Sequence, residues 1–226
     1  KACREINEDV SIRAVVVTGE GENFCSGADV GAQRNAVVEV SATIPLRNLR
    51  RIKESASALH DIQHPVIAKV RGVAAGAGLN LALGCDLIYA SDNARFSEVF
   101  ARRGLSIDFG GSWLLPRRIG LHRAKELVFL AEVIDAVEAD RIGLVNRVIP
   151  DAELDTYVDD IVERTAAGPP LSLSLSKALL NNGATSSMSQ ALEAEGSAQA
   201  SNFSTEDVRE AGLAWAEKRP AKFIGR

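Results

Sequence analysis

The sequence predicts an α/β fold that ends in a purely helical region. One observation is that short β-branched runs alternate with segments of helical period up to about Pro150. A second is that the strand-like runs cease after Gly168-Pro169-Pro170, where glycine and proline interrupt the chain. A length of 226 residues suits one large α/β domain or two smaller ones. We therefore divide the chain into a strand-and-helix region at 1–150 and a helical region at 151–226.

Four short apolar runs predict the strands. Each is rich in valine or isoleucine and is bounded by residues typical of turns, which is the form of a buried strand. They are RAVVVTG at 13–19, PVIAKVRG at 65–72, DLIYAS at 86–91 and, more weakly, LVNRVIP at 144–150.

Helical spacing between and after these runs predicts the helices. Residues 41–63 predict a long helix and 76–83 a short buried one. The apolar positions of LHRAKELVFLAE, at 121–132, recur at i, i+3, i+4 and i+7. Asp151 follows a proline and is predicted to cap the next helix. The remaining segment, 171–218, is helical in character throughout.

Composition argues against several classes of protein. The formal net charge of −4 gives no support for binding nucleic acid. Three cysteines without a C-x-x-C pair favour a reducing compartment, so we expect a cytoplasmic protein. The longest apolar stretch, 73–90, is broken by Asn80 and Asp86, so no membrane span is predicted.

Two segments resemble a dinucleotide-binding motif and a zinc-binding motif, but neither matches its motif in full. The glycine-rich GVAAGAG at 72–78 is not a dinucleotide fingerprint, because the last glycine would fall on residue 81, which is leucine. His60 and His64 have the i, i+4 spacing of zinc ligands in HDIQH, but Asp61 stands where H-E-x-x-H has glutamate and Pro65 follows at once. We predict no metal site.

Two loops of small residues follow predicted strands, namely 24–30, FCSGADV, and 72–78, GVAAGAG. They can be tight turns in which glycine serves conformation or close packing. They can also aim backbone amides from both loops at one oxygen, as an oxyanion hole does. The residues alone favour the tight turns and leave the second interpretation open.

The chain resembles the enoyl-CoA hydratase/isomerase, or crotonase, superfamily. The resemblance runs from about Arg4 to Arg226, and the order and spacing of its segments are specific. These segments are RAVVVTGEGENFCSGADV, PVIAKVRGVAAGAGLNLALGCDLIYASDNARFS, GLSIDFGGSWLLPRRIG, IDAVEADRIGLVNRVIP and TEDVREAGLAWAEKRPAKFIGR. The resemblance implies a spiral of ββα units, with a first strand before Lys1 and a helical C-terminal part that builds trimers or hexamers.

The resemblance also implies an acyl-CoA thioester as ligand. Its carbonyl oxygen would lie between the backbone amides of Ala28 and Ala77, which suits chemistry that passes through an enolate. Ser26, Asp29 and Val30 match positions that contact coenzyme A in the family. No prosthetic group is expected, since coenzyme A is part of the substrate.

Departures from the family pattern decide which chemistry we expect. The two glutamates with which family hydratases hold and split water fall on Asn80 and Phe100. Asparagine cannot take a proton near neutral pH, and phenylalanine has no polar group. Glu98 is expected to face elsewhere, being two residues from Phe100 on a helix.

Asp108, in GLSIDFGGSW, matches the aspartate of family isomerases with a P-D-x-G-G sequence, although Ile107 replaces the proline. Single-aspartate isomerases such as that of phenylacetyl-CoA breakdown are similar in sharing G-V-A-A-G-A-G and in lacking both glutamates. Asp108 can also be an ordinary turn residue beside glycines.

Three functions remain: an isomerase that uses Asp108, a hydratase or other lyase, and an acyl-CoA-binding protein without turnover. The favoured expectation is an enoyl-CoA isomerase that forms a homotrimer or hexamer and binds neither nucleic acid nor membrane.

Overall fold

The computed structural model describes residues 1–28 and 43–226, with side chains of the second range described from residue 49. Its strands are β1 Val15–Thr18, β2 Val66–Val70, β3 Val73–Ala75, β4 Leu87–Ser91, β5 Arg95–Ser97, β6 Ile134–Asp135 and β7 Arg147–Ile149. Its helices are α1 Ala2–Glu8, α2 Thr43–His60, α3 Ala77–Leu83, α4 Gly111–Ile119, α5 Leu121–Leu130, α6 Ala136–Arg141, α7 Leu154–Ala166, α8 Pro170–Gly183, α9 Met188–Phe203 and α10 Glu206–Glu217. Short 3₁₀ turns cover Val99–Arg103 and Asp151–Glu153.

The four predicted strands form one sheet in the order β1-β2-β4-β7. β2 and β4 are parallel, with Ile67 opposite Leu87, and β7 continues the sheet in parallel beside β4. Strands of a parallel sheet covered on both faces are apolar throughout rather than alternating. This is why VIAKV and LIYAS are almost entirely buried.

A second sheet, β3-β5-β6, was not predicted. Its strands have only two or three residues, and β3 lies inside the glycine-rich stretch that the sequence analysis treated as a loop. β3 pairs in parallel with β5, and β5 pairs antiparallel with β6. Segments this short have no measurable period, so pattern alone cannot identify them.

Two details of the predicted helices need correction. The long helix ends at His60, before the predicted 63, and its predicted first residues, 41 and 42, lie outside the described residues. Asp151 does not cap α7; its carboxylate instead accepts hydrogen bonds from Arg71 Nε at 2.9 Å and Ser91 Oγ at 2.7 Å. A 3₁₀ turn precedes the helix and supplies hydrogen-bond acceptors for part of the N–H groups of its first turn.

The chain divides into two compact units. The larger comprises Val16–Asp61 and Val66–Val158, and the smaller comprises Lys1–Val15, Ile62–Pro65 and Asp159–Arg226. The predicted helical tail consists of three further helices, α8 to α10, and Thr205 caps α10 by accepting a hydrogen bond from the Val208 amide. The described residues contain no helix that combines the length and apolar character needed to cross a membrane.

Candidate functional site

The two small-residue loops come together in the larger unit. Cys25 donates its amide to the Val73 carbonyl at 2.9 Å, and its own carbonyl accepts from the Ala75 amide at 3.0 Å. A Cβ built on Gly27 would stand 2.9 Å from the Ala75 carbonyl oxygen and 3.6 Å from the Ala77 amide nitrogen. The segment that carries Ala28 therefore lies beside the start of α3, where Ala77 is the first residue.

Glycine is required where these loops meet. A Cβ on Gly78 would overlap the Cys25 carbonyl, so the closeness of the two backbones depends on the missing side chain. Gly76 adopts φ +55°, a conformation that disfavours L side chains, and its amide donates to the Ser97 carbonyl at 2.8 Å. These residues orient the start of α3, whose first N–H groups have no acceptor within the helix.

Asn80 lies one turn into α3 and is fully buried. Its Nδ2 donates to the Asp108 backbone carbonyl at 3.0 Å and lies 3.5 Å from Glu98 Oε2. A Cβ on Gly111 would overlap the Asn80 amide, so Asn80 packs directly against the beginning of α4. The Oδ1 atom of Asn80 has no protein partner among the described residues.

Phe100 lies in the 3₁₀ turn after β5 and is buried. A Cβ built on Gly76 would be 3.5 Å from its ring. The ring thus covers the residue before α3 with an apolar surface that neither binds water nor transfers a proton.

Asp108 lies in the loop that leads into α4. The Gly111 amide donates to its backbone carbonyl at 2.9 Å, and Phe109 and Gly110 after it both have positive φ. The side chain is half-buried, Oδ1 has no protein partner among the described residues, and burial raises the pKa of the carboxyl. Asp108 is therefore more basic than an exposed aspartate.

The expectation that Glu98 faces away from the site is wrong, because its side chain faces Asn80. Its side chain is fully buried and meets Asn80, and burial raises the pKa of its carboxyl to about 8. The expectation failed because it assumed a helix through Glu98, whereas Glu98 precedes the 3₁₀ turn with non-helical angles. Glu98 is the site residue that sequence reasoning missed; the available signal was that it is an acid directly after DNARFS, the end of a segment that carries the family resemblance.

An apolar cavity of about 330 Å³ adjoins the Asp108 loop through Phe109 and Gly110. On its wall the rings of His60 and Trp113 meet edge to face, with centroids 5.6 Å apart. This volume lies at the lower end of the range found for small-molecule sites.

The remaining predicted binding residues are placed only in part. Ser26 is exposed beside Gly27, whereas Asp29 and Val30 lie outside the described residues. Across residues 1–28 and 43–226, no three His, Cys, Asp or Glu side chains converge as metal ligands.

Comparison with known proteins decides the family. A family model described as enoyl-CoA hydratase/isomerase matches residues 1–226, the whole chain. The chain belongs to this family. Among family members, a short-chain-enoyl-CoA hydratase of Clostridium acetobutylicum is 37% identical over 216 residues, which cover 95% of this chain and 81% of the relative. A 1,2-epoxyphenylacetyl-CoA isomerase of Escherichia coli is 32% identical over 223 residues, covering 99% and 85%.

The solved structures agree on the fold. An enoyl-CoA hydratase from Bacillus anthracis superposes with a TM-score of 0.94 at 31% identity and covers 100% of this chain and 86% of that protein. The chain therefore has the crotonase fold, as the resemblance implied. Several further relatives of this enoyl-CoA hydratase/isomerase family member also carry hydratase names.

Proposed function

We propose that this family member is an enoyl-CoA isomerase that uses Asp108 to move a proton. The observation that carries the proposal is which residues occupy positions 80, 100 and 108. Asn80 and Phe100 stand where the resemblance places the hydratase glutamates, and neither can activate water. Asp108 supplies a carboxyl of raised pKa in the loop bonded to Asn80.

The reaction needs one base and one electrophilic site. The Asp108 carboxylate takes a proton from the carbon next to the thioester, and the released electron pair moves onto the thioester oxygen as an enolate. The same carboxyl returns that proton to a carbon further along the chain, which shifts the double bond. No water is added and no other reactant is consumed, so one carboxyl performs both transfers.

The enolate oxygen would be bound by the amides of Ala28 and Ala77. The approach of the two loops supports this role, because backbone N–H groups held in place before the reaction stabilise charge that develops during it. We further propose that Ser26, Asp29 and Val30 contact coenzyme A, that coenzyme A enters as part of the substrate, and that no prosthetic group is needed.

Hydratase is the second candidate function. It is favoured by the names of most relatives, including the crotonyl-CoA hydratase of Syntrophomonas wolfei, which is 35% identical over 227 residues. On the names alone, hydration fits at least as well as isomerisation. Our preference for isomerisation depends on the residues at positions 80, 100 and 108.

A parallel assay separates the candidates. Purified protein is tested with crotonyl-CoA for hydration, with a 3-enoyl-CoA for the double-bond shift and with a ring-bearing CoA ester. We expect turnover of one of the latter two and slow hydration of crotonyl-CoA. Fast hydration at neutral pH would establish the hydratase instead. Binding of all three esters without turnover would indicate a protein that only binds acyl-CoA.

Assembly and location are also proposals. We propose a homotrimer or hexamer, supported by the family and by large apolar side chains exposed on the C-terminal helices. A cytoplasmic location is supported by the scarcity of cysteine, none of which forms a disulfide.

A further inference from the structure

Three buried oxygens of the site lack a protein partner among the described residues: Asn80 Oδ1, Glu98 Oε1 and Asp108 Oδ1. The orientation of the Asn80 amide is fixed, because the Asp108 carbonyl can only accept and therefore faces Nδ2. If both carboxyls are ionised, all three atoms are acceptors and no donor is supplied. Leaving buried acceptors unpaired is costly.

One proton on Glu98 would supply a hydrogen-bond donor to these acceptors. A neutral carboxyl has an O–H that can donate, and Asn80 Oδ1 belongs to the side chain that Glu98 already contacts. A carboxylic acid and a primary amide can then pair through two hydrogen bonds, one in each direction. The ionised form can only accept from Nδ2.

The electrostatic surroundings also favour the neutral form. In the described part of the chain, the charged group that acts on Glu98 is Asp108, a like charge, while the facing group from α3 is the uncharged Asn80 amide. Burial is the largest cause of the raised pKa of Glu98. The hydrogen bond from Asn80 lowers this pKa and the like charge of Asp108 raises it, and the net effect is a pKa of about 8. Asp108 is only half-buried and therefore ionises first.

We propose that Glu98 is a positioning residue that stays protonated while Asp108 is ionised, and that its O–H, through Asn80, fixes the loop of the reacting carboxylate. The inference rests on the proposed function, because it takes Asp108 as the reacting acid. It assigns the site a single negative charge at neutral pH. When Glu98 loses its proton at alkaline pH, Asn80 loses its donor and a second charge enters the buried site, so turnover falls.

The test is the pH profile of kcat for the wild type and for Glu98→Gln, whose amide donates a hydrogen bond at every pH. We expect the wild type to lose activity with a midpoint near pH 8, the pKa of Glu98. Glu98→Gln should keep kcat within about threefold of the wild type at pH 6.5 and should lack the alkaline decline. An unchanged decline in Glu98→Gln, or a loss of about 100-fold at pH 6.5, would overturn the proposal.

Thermal unfolding tests the proton without any substrate. Burial raises the pKa of Glu98 from its ordinary value of 4.5 to about 8. Its contribution to stability is therefore complete below pH 4.5 and is lost as the pH rises to about 8. The melting temperature of the wild type should fall across this range relative to Glu98→Gln, and parallel curves would show that Glu98 is already ionised.

The two experiments also separate the two proposals. If Asp108→Asn keeps full activity, the proposed function is wrong, but the unfolding comparison still decides whether Glu98 holds a proton. A different result is also possible, in which Asp108→Asn is inactive while the wild type and Glu98→Gln give parallel pH profiles of kcat and parallel melting curves. In that case the proposed role of Asp108 is kept and the proposed role of Glu98 is wrong.

Discussion

At the scale of single residues, Asn80 connects the parts of the site. It is buried in α3, donates to the Asp108 carbonyl from one hydrogen of its amide and approaches Glu98 with the other. An aspartate or glutamate here could not donate to that carbonyl when ionised. Asn80 thus suits a site in which the acid lies in the neighbouring loop rather than on α3.

Restoring a carboxyl at this position should not produce an efficient hydratase. We expect Asn80→Glu to raise crotonyl-CoA hydration by less than about tenfold, because Phe100 supplies no second carboxyl and each acid–base step is worth about 10²–10⁴-fold. The new side chain also places a second carboxyl beside Glu98. The measurement is the loss of enoyl-thioester absorbance.

Asn80→Gln, which has the length of glutamate without the acid, is the matched control. A gain in hydration of about 10³-fold in Asn80→Glu, absent from Asn80→Gln, would show that one glutamate suffices.

The sequence predicted part of this site. Asn80, Phe100 and Asp108 were predicted as site residues because they match positions where the family has recognisable residues, and their roles stay predictions. Glu98 was missed because its role depends on burial and on the turn angles before the 3₁₀ segment, which no spacing rule contains. The unpaired oxygens are likewise visible only when α3, β5 and the Asp108 loop are assembled.

At the scale of the elements, the site depends on the close packing of α3 against the beginning of α4. Asn80 contacts Gly111, and the Gly111 amide binds the Asp108 carbonyl that Asn80 also binds.

The four strands of the main sheet were predictable because a buried parallel strand is a continuous apolar run. The second sheet was not, since long-range pairing rather than local pattern defines strands of two or three residues.

Gly111→Ala should disrupt this packing. Its Cβ would overlap the buried Asn80 amide, so Asn80 must move away from Asp108 and Glu98. We expect a loss of about 1–3 kcal/mol in the free energy of unfolding, measured by denaturant titration, together with reduced turnover.

The matched control is Gly212→Ala in α10, where an added Cβ meets nothing within 4 Å. It should leave stability unchanged or raise it by up to about 1 kcal/mol, because alanine is the better helix former. Equal effects of the two variants would mean that the contact with Asn80 is unimportant.

At the scale of the whole molecule, the exposed apolar side chains of the C-terminal helices require an explanation. Leu180 in α8, Phe203 in α9 and Trp215 in α10 are 78%, 73% and 67% exposed in the single chain. Apolar surface of this kind favours association. These side chains support the proposal that copies of this chain associate through the C-terminal helices.

We expect the wild type to be a homotrimer or hexamer by light scattering coupled to size exclusion. Phe203→Ser combined with Trp215→Ser should shift the protein toward the monomer, because it removes aromatic area that association would bury. Val10→Ser, at an apolar residue that is 92% exposed outside these helices, should leave the mass unchanged. A monomeric wild type would refute the predicted assembly.

The central claim is that Asp108 is the proton-transferring acid of an isomerase, and the kcat of Asp108→Asn on the best isomerisation substrate tests it most directly. The change keeps the size and hydrogen bonding of the side chain and removes its ability to take a proton. The control is Asp140→Asn, at an exposed aspartate of α6. We expect kcat to fall about 100-fold or more with KM nearly unchanged in Asp108→Asn, and wild-type kinetics in the control. Nearly full activity in Asp108→Asn would contradict the central claim.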